Sequence, residues 1–357
     1  MKSHYIIPIF VPHKGCPHDC VFCNQKHITG QVDKVDSAFV ENEIDKYLTT
    51  INSKDSFVEV SFFGGSFTGL SIDEQTELLK PAKKALDDNK VDAIRLSTRP
   101  DYINEVILAN LKNYGVSIIE LGVQSMDEDV LRLSNRGHSI DVVYKASQLI
   151  KYNGFTLGLQ MMVGLPGDDE AKDIKTVEEF IKIKPDMVRI YPALVIKDTL
   201  MERMYKSGTF APYTLDNAID ICSRLYLKFE YAGIKVIRIG LQPTENIAFG
   251  KDLIAGPFHP SFREHVESKI LNDMILVLKR EYNLNEFTIG VNPRTISKLF
   301  ADKKKYFNNA IKTIGNNKIK VIQNNNIPID SIQVMDSNNC VTLSIIQYAK
   351  LIEKKNK

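Results

Sequence analysis

Phe57-Val58-Glu59-Val60-Ser61-Phe62 is a short apolar run, and it passes through Phe63 into Gly64-Gly65-Ser66-Phe67-Thr68-Gly69, before an amphipathic stretch at Ile72–Leu86. A strand, a glycine-rich turn and a helix in that order make one β/α unit. The same order recurs along the chain. Strands are predicted at Tyr5–Val11, Phe57–Phe62, Ala93–Ser97, Ser117–Leu121, Thr156–Val163 and Asp186–Tyr191, with a seventh at Lys235–Ile239. Helices are predicted around Ala38–Thr50, Ile72–Leu86, Ile103–Asn113, Ile140–Tyr152, Ala171–Ile183 and Leu215–Ala232. In the fourth of these, Ile140, Val143, Tyr144, Ser147 and Ile150 recur at helical spacing. Strands that alternate with helices imply right-handed crossovers and a parallel sheet. The expected fold is therefore α/β, a partial (β/α)6 TIM-like barrel, followed by a small α+β domain.

The unusual residues are distributed unevenly. A cysteine loop follows the first strand, and Gly64-Gly65-Ser66 follows the second. Thr98-Arg99-Pro100-Asp101 follows the third, Gly122-Val123-Gln124-Ser125 the fourth, Gly164-Leu165-Pro166-Gly167 the fifth and Tyr191-Pro192 the sixth. All sit at carboxyl ends of strands, the face where β/α barrels build their sites. One composite site at that face is the simplest explanation.

Beyond about residue 245 the pattern changes to short strands, at Glu286–Val291, Lys318–Ile322, Ser331–Met335 and Val341–Ile345, with a helix over Thr295–Ile314 and asparagine-rich turns between them. This places a core at 1–245 and a small C-terminal domain, a lid or substrate contact, at 246–357. The 357 residues suit such a division. With 46 basic against 44 acidic residues, net charge argues neither for nor against nucleic acid. No apolar stretch is long enough to span a membrane. The opening apolar run is short and broken by Pro8 and Pro12, unlike a secretory signal, so a cytoplasmic protein is expected.

Of five cysteines, three crowd into Gly15-Cys16-Pro17-His18-Asp19-Cys20-Val21-Phe22-Cys23. Three thiolates on one loop can hold three irons of a cubane cluster and leave the fourth iron open to another ligand. Zinc completed by His13, His18 or His27 is the competing reading, although zinc sites usually use two separated ligand pairs. Cys222 and Cys340 lie in apolar settings and read as small core residues. Gly64 and Gly65 suit close approach of backbone to a ligand, or a plain turn. Arg136, in Asn135-Arg136-Gly137-His138, suits a carboxylate, or a surface at a helix end. Lys303-Lys304-Lys305 beside Tyr306 and Phe307 is either a phosphate contact or a solvated helix face.

The cysteine spacing, with an aromatic before the last cysteine, resembles the signature of the radical S-adenosylmethionine (SAM) superfamily. Ser97-Thr98-Arg99-Pro100-Asp101, Glu120–Ser125, Leu133–His138 and Tyr191–Ile196 further resemble the radical SAM core of the Elongator catalytic-subunit family. That resemblance implies a 4Fe-4S cluster on Cys16, Cys20 and Cys23, whose open iron binds SAM, and an external one-electron reductant of ferredoxin or flavodoxin type. It implies reductive cleavage of SAM to a 5′-deoxyadenosyl radical that abstracts hydrogen. By the same resemblance Phe22 lies near the adenine, Gly64, Gly65 and Ser66 receive the methionine amino group, and Gln124 reaches the ribose. Arg136 pairs with the carboxylate, and Gly164 and Pro166 shape the turn beside the adenine. Members of that family modify the wobble uridine of transfer RNA (tRNA). The cysteine spacing here is shorter than usual for it, and its acetyltransferase domain is not read in this chain. The alternatives are a relative of oxygen-independent coproporphyrinogen oxidase acting on a small molecule, and a noncatalytic metal-bearing RNA-binding protein. No catalytic side chain is assigned.

Overall fold

The computed structural model describes residues 3–11, 19–24, 35–51, 56–243, 247–284, 286–315 and 319–355. By its internal contacts the chain forms two compact units. The first is 1–212 with 242–256, and the second is 213–241 with 257–357.

In the first unit, β1 (Ser3–Val11), α1 (Ser37–Leu48), β2 (Ser56–Gly64), α2 (Ile72–Asp87), β3 (Ala93–Thr98), α3 (Glu105–Asn113) and β4 (Val116–Gln124) succeed one another. Then come α4 (Glu128–Leu133), α5 (Ile140–Tyr152), β5 (Thr156–Val163), α6 (Glu170–Ile183) and β6 (Met187–Pro192). These six strands pair in parallel and in chain order. The result is a parallel half-barrel, the partial TIM barrel that the sequence implied. Tyr191 and Pro192 lie within β6 rather than after it. The unit is completed by β7 (Val195–Ile196) and α7 (Leu200–Lys206).

Local chemistry sets the helix starts. Ser71 and Glu74 form a reciprocal capping box at α2, and Asp36, Asn104, Asp127 and Asp169 each accept a backbone N–H at the head of α1, α3, α4 and α6. Alternate strand residues face helices and form an apolar core, with Ile7, Ile9, Val58, Val60, Phe62, Leu96, Ile119, Leu159 and Ile190 fully buried.

The opposite side of the sheet carries charge. Glu59, Arg95, Glu120 and Arg189 are all buried. Arg95 Nη2 donates to Glu59 Oε2 at 3.0 Å and Nη1 to Glu120 Oε1 at 2.5 Å. Arg189 Nη2 donates to Glu120 Oε1 at 2.8 Å, and its Nε to Glu120 Oε2. Burial would raise the Glu120 carboxyl, but the Arg189 and Arg95 guanidiniums outweigh it and hold it below the ordinary carboxylate value. Gly158, opposite Glu120 in register, keeps the space open. A Cβ there would sit 2.7 Å from Glu120 Cγ.

In the second unit, α8 (Leu215–Ala232) and β8 (Lys235–Ile239) precede α9 (Phe262–Glu281), while the short β9 (Leu253–Ala255) pairs antiparallel with β7 in the first unit. After α9 come β10 (Thr288–Val291), α10 (Ile296–Leu299), α11 (Ala301–Ile314), β11 (Lys320–Gln323), β12 (Ser331–Met335), β13 (Cys340–Ser344) and α12 (Ile345–Lys355). A mixed sheet of order β11-β10-β12-β13 results, and α9 packs against α8 and α11. Together these elements are the α+β part of the fold.

The helix expected over Thr295–Ile314 is two helices. Asp302, Lys303 and Lys304 at the head of α11 take left-handed φ of 52°, 52° and 66°. The three lysines are therefore not one helix face. The Lys304 ammonium lies 4.7 Å from the Phe300 ring centroid, and Lys305 pairs with Asp216. Among the described residues no helix is long and apolar enough to cross a membrane.

Candidate active site at the strand ends

Cys20 and Cys23 are positioned by backbone bonds, not by the sheet itself. Cys23 N–H donates to Cys20 O at 2.9 Å, and Val21 N–H to Ser134 O at 3.1 Å. Met201 N–H donates to Val21 O at 2.8 Å, the Asn135 amide to Asp19 O at 2.9 Å and the Asn24 amide to Lys197 O at 3.0 Å. These ties bring residues 19–24 against the segment that carries Arg136 and against the loop before α7. Val21 is buried with Val130, Leu165, Ala193, Val195, Met201 and Phe210, and Phe22 packs against this cluster.

One pocket at the strand ends is lined by Cys20, Phe22, Cys23, Gly64, Gly65, Ser66, Ser97, Thr98, Arg99, Gly122, Gln124, Arg136 and Gln160. Eight residues singled out in the sequence thus share a cavity. Cys16 lies outside the described residues. Gly164 and Pro166 do not line the pocket. They flank Leu165, which is buried in the cluster against which Phe22 packs. Five further lining residues, Ser97, Thr98 and Arg99 on or just after β3, Gly122 on β4 and Gln160 on β5, had been given no role of their own from the sequence. A signal for Gln160 existed. β2 to β6 each carry one charged or amide residue in mid-strand (Glu59, Arg95, Glu120, Gln160 and Arg189), where an apolar strand offers no reason for one.

Two guanidiniums surround Cys20. Arg136 Nη1 lies 3.3 Å from Cys20 Sγ, and Arg99 Nη1 lies 3.9 Å from it. Arg99 is fixed by a two-pronged contact to Asp101, with both bonds 2.9 Å, and donates to Arg136 O at 2.6 Å. Arg136 Nη2 donates to Gly122 O. Gly122 leaves room for both side chains, since a Cβ would lie 3.1 Å from Gln124 Nε2 and 3.2 Å from Arg136 Nη2 and push them aside by a few tenths of an ångström. A register shift between Gly122 and Gln124 then turns Gln124 to φ 78°, a conformation that costs a non-glycine residue about 1–2 kcal/mol. Strain of this kind persists where the surroundings over-determine it.

Positive charge and burial also govern His138. Burial, then the neighbouring Arg136 and Arg99, lowers its pKa to about 4, so it is neutral at pH 7. Buried polar atoms without hydrogen-bond partners among the described residues gather here as well: Gln124 Oε1, Arg136 Nε, Ser134 Oγ and His138 Nε2. Native interiors leave few such atoms, and a site that binds polar ligands is one place where they persist. Further out, burial pushes the Asp168 carboxyl up to about 6, against a hydrogen bond with Asp173 and backbone N–H donors that include Gly164.

Cysteine sulfurs are suitable donors for iron, since thiolates are soft ligands. The open rim atoms suit an amino-acid-like ligand. The residues present therefore fit a cluster and SAM. Among the described residues no group of three His, Cys, Asp or Glu side chains is arranged to hold a metal.

Comparisons with known proteins agree. The radical SAM superfamily model matches residues 10–181, and the radical SAM C-terminal domain model matches residues 185–272. The chain is 28% identical over 258 residues to tRNA uridine(34) acetyltransferase of Methanocaldococcus jannaschii, covering 61% of this chain and 48% of that protein. It is 32% identical over 188 residues to Elongator complex protein 3 of Dictyostelium discoideum, covering 47% of this chain and 34% of that protein. The chain thus spans about half or less of the length of these curated relatives. The archaeal Elp3 of Methanocaldococcus infernus shares the fold, with a TM-score of 0.62 at 24% identity, over 77% of this chain and 64% of that one. The radical SAM family implies a 4Fe-4S cluster and SAM. With a half-barrel, two cysteines and two arginines at one strand-end pocket, and both family models in sequence, the chain belongs to the radical SAM superfamily and is a radical SAM enzyme.

Proposed function

We propose that this enzyme modifies transfer RNA at the wobble uridine. The observation that carries the reading is the convergence of Cys20, Cys23, Arg136 and Gln124 on one strand-end pocket, in a chain whose relatives include proteins named for tRNA uridine 34. Cys16, Cys20 and Cys23 would hold the cluster. Gly64, Gly65, Ser66, Gln124 and Arg136 would hold SAM, with Phe22 beside the adenine and the turn bearing Gly164 and Pro166 supporting it. Bound together, the two groups supply one-electron cleavage of SAM and a hydrogen-abstracting radical.

The chain's own residues contribute charge and order. Arg99, locked by Asp101, and Arg136 place two cations at the Cys20 sulfur. Arg136 retains an unpartnered Nε, and Gln124 an unpartnered Oε1, which are the polar contacts an amino-acid ligand needs. The electron comes from an external donor of ferredoxin or flavodoxin type.

The test uses anaerobically reconstituted protein, reduced in the presence of SAM and tRNA, with nucleoside mass spectrometry of the product. Transfer RNA that raises the yield of 5′-deoxyadenosine, together with a mass change confined to the wobble uridine, is the expected result. Full SAM cleavage with unchanged uridine across all tRNA species would contradict the substrate and leave the radical chemistry intact.

A further inference from the structure

Gln160 lines the pocket but sits in the middle of β5, four residues before Gly164 and paired in register with Gly122 and Arg189. In register it stands one position before Met161, the partner of Gln124. Its amide nitrogen donates to Ser97 Oγ at 3.3 Å and to Glu120 Oε2 at 3.1 Å, so both hydrogens are committed.

Chemistry fixes the orientation of the amide. Glu120 is held ionised by Arg189 and Arg95, and a carboxylate only accepts hydrogen bonds. A flipped amide would set oxygen against oxygen. The Gln160 carbonyl oxygen is therefore the atom left over, an acceptor with no donor among the described residues, on a residue that lines the pocket. The Glu59–Arg95–Glu120–Arg189 network serves to hold this one amide in a single orientation.

We propose that Gln160 is a specificity-determining residue, whose Oε1 accepts a hydrogen bond from a ring N–H of the substrate base. This rests on the uridine reading and extends it. Uracil presents N3–H, a donor, whereas cytosine presents a bare N3, an acceptor, at the same ring position. An immobile acceptor selects the first and repels the second, because the mismatched pair leaves two acceptors facing each other. Glu120 and Ser97 act as positioning residues, through Gln160.

The experiment measures binding and does not depend on turnover. Fluorescence anisotropy would compare two anticodon stem-loop RNAs, with uridine or cytidine at the wobble position, on cluster-loaded protein with SAM under anaerobic conditions. Wild type is expected to prefer the uridine hairpin by about 10–100-fold. Gln160→Met should bring the preference below about 3-fold, mainly by weakening the uridine hairpin, and Ser97→Ala, which frees one amide hydrogen, should give an intermediate value. Melting temperatures control for folding, and Ser97→Ala keeps the test valid if Gln160→Met folds poorly.

If wild type discriminates and both variants discriminate equally well, the role of Gln160 is overturned while the uridine reading stands. Equal wild-type binding of the two hairpins also overturns it. If wild type binds neither hairpin, the tRNA reading fails, and this inference with it.

Discussion

The rim of the half-barrel and its interior use the same residue types to opposite ends. In the interior, Arg95 and Arg189 meet Glu59 and Glu120, so cation and anion close on one another within the protein. At the rim, Arg99 and Arg136 meet a cysteine sulfur, backbone carbonyls and one aspartate, and Arg136 Nε and Gln124 Oε1 have no partner among the described residues. A closed network stabilises and orients, while an open one is completed by a ligand. The difference assigns structure to the interior and chemistry to the rim, although the two lie on the same strands.

The largest effect should come from the cysteines. Replacing Cys20 or Cys23 by Ala is expected to abolish iron retention and SAM cleavage together, read by iron content and 5′-deoxyadenosine yield. A variant that keeps both would remove the rim's claim to chemistry. Next is Glu120→Ala, which leaves Arg189 without its carboxylate. Breaking a buried pair from one side costs about 3–5 kcal/mol, visible in the denaturant midpoint. A stable Glu120→Ala protein that had lost SAM affinity would erase the distinction between the two regions.

Arg136→Ala should chiefly affect ligand binding. The loss of a charge-assisted contact to a carboxylate costs about 1.5–3 kcal/mol, or about 10–100-fold in SAM affinity by calorimetry. The melting temperature should move less than in Glu120→Ala. A purely structural Arg136 would reverse that order.

The smallest effects sharpen the electrostatics around the rim. The folded pKa of His138, about 4, lies below its usual 6.5, so its contribution is lost as pH falls from 6.5 toward 4. The folded pKa of Asp168, about 6, lies above its usual 3.8, so over the same interval its contribution is gained as pH falls. The two slopes oppose and largely cancel in the wild type. In melts between pH 4 and 7, His138→Gln should stabilise the protein relative to wild type most at the acid end. Asp168→Asn should flatten the opposing slope, with each effect at most about 3 kcal/mol. Unchanged profiles in both variants would show that neither group is perturbed.

Much of this was legible from the chain. β1 to β6 appear at their expected positions because apolar runs of strand length, bounded by glycine or proline turns, alternate with helical periodicity. The strand-end clustering of Gly64 and Gln124 was visible for the same reason, whereas Arg136, between α4 and α5, was reached through the family resemblance. α9 was missed because Val266, Ile270, Leu271, Met274, Ile275 and Leu278 are buried along with His265, Glu267, Ser268 and Asn272, so no single apolar stripe marks it. The left-handed stretch Asp302–Lys304 was hidden because three ordinary helix-compatible residues adopt a conformation usually left to glycine. A cut at 245 follows the change in composition, whereas the compact units interleave, with α8 and β8 in the second and 242–256 in the first. The contacts of Arg99 and Gln160 emerged only when the strands were set side by side, since partners 37 to 79 positions apart cannot be read from spacing.

The most direct test of the central claim is anaerobic reconstitution with iron and sulfide, followed by reduction with dithionite in the presence of SAM and quantification of 5′-deoxyadenosine. About four irons per chain and deoxyadenosine that disappears when Cys16, Cys20 and Cys23 are replaced by Ala are the expected results. A protein that takes up one tightly held zinc in place of iron, and never cleaves SAM with or without tRNA, would contradict it.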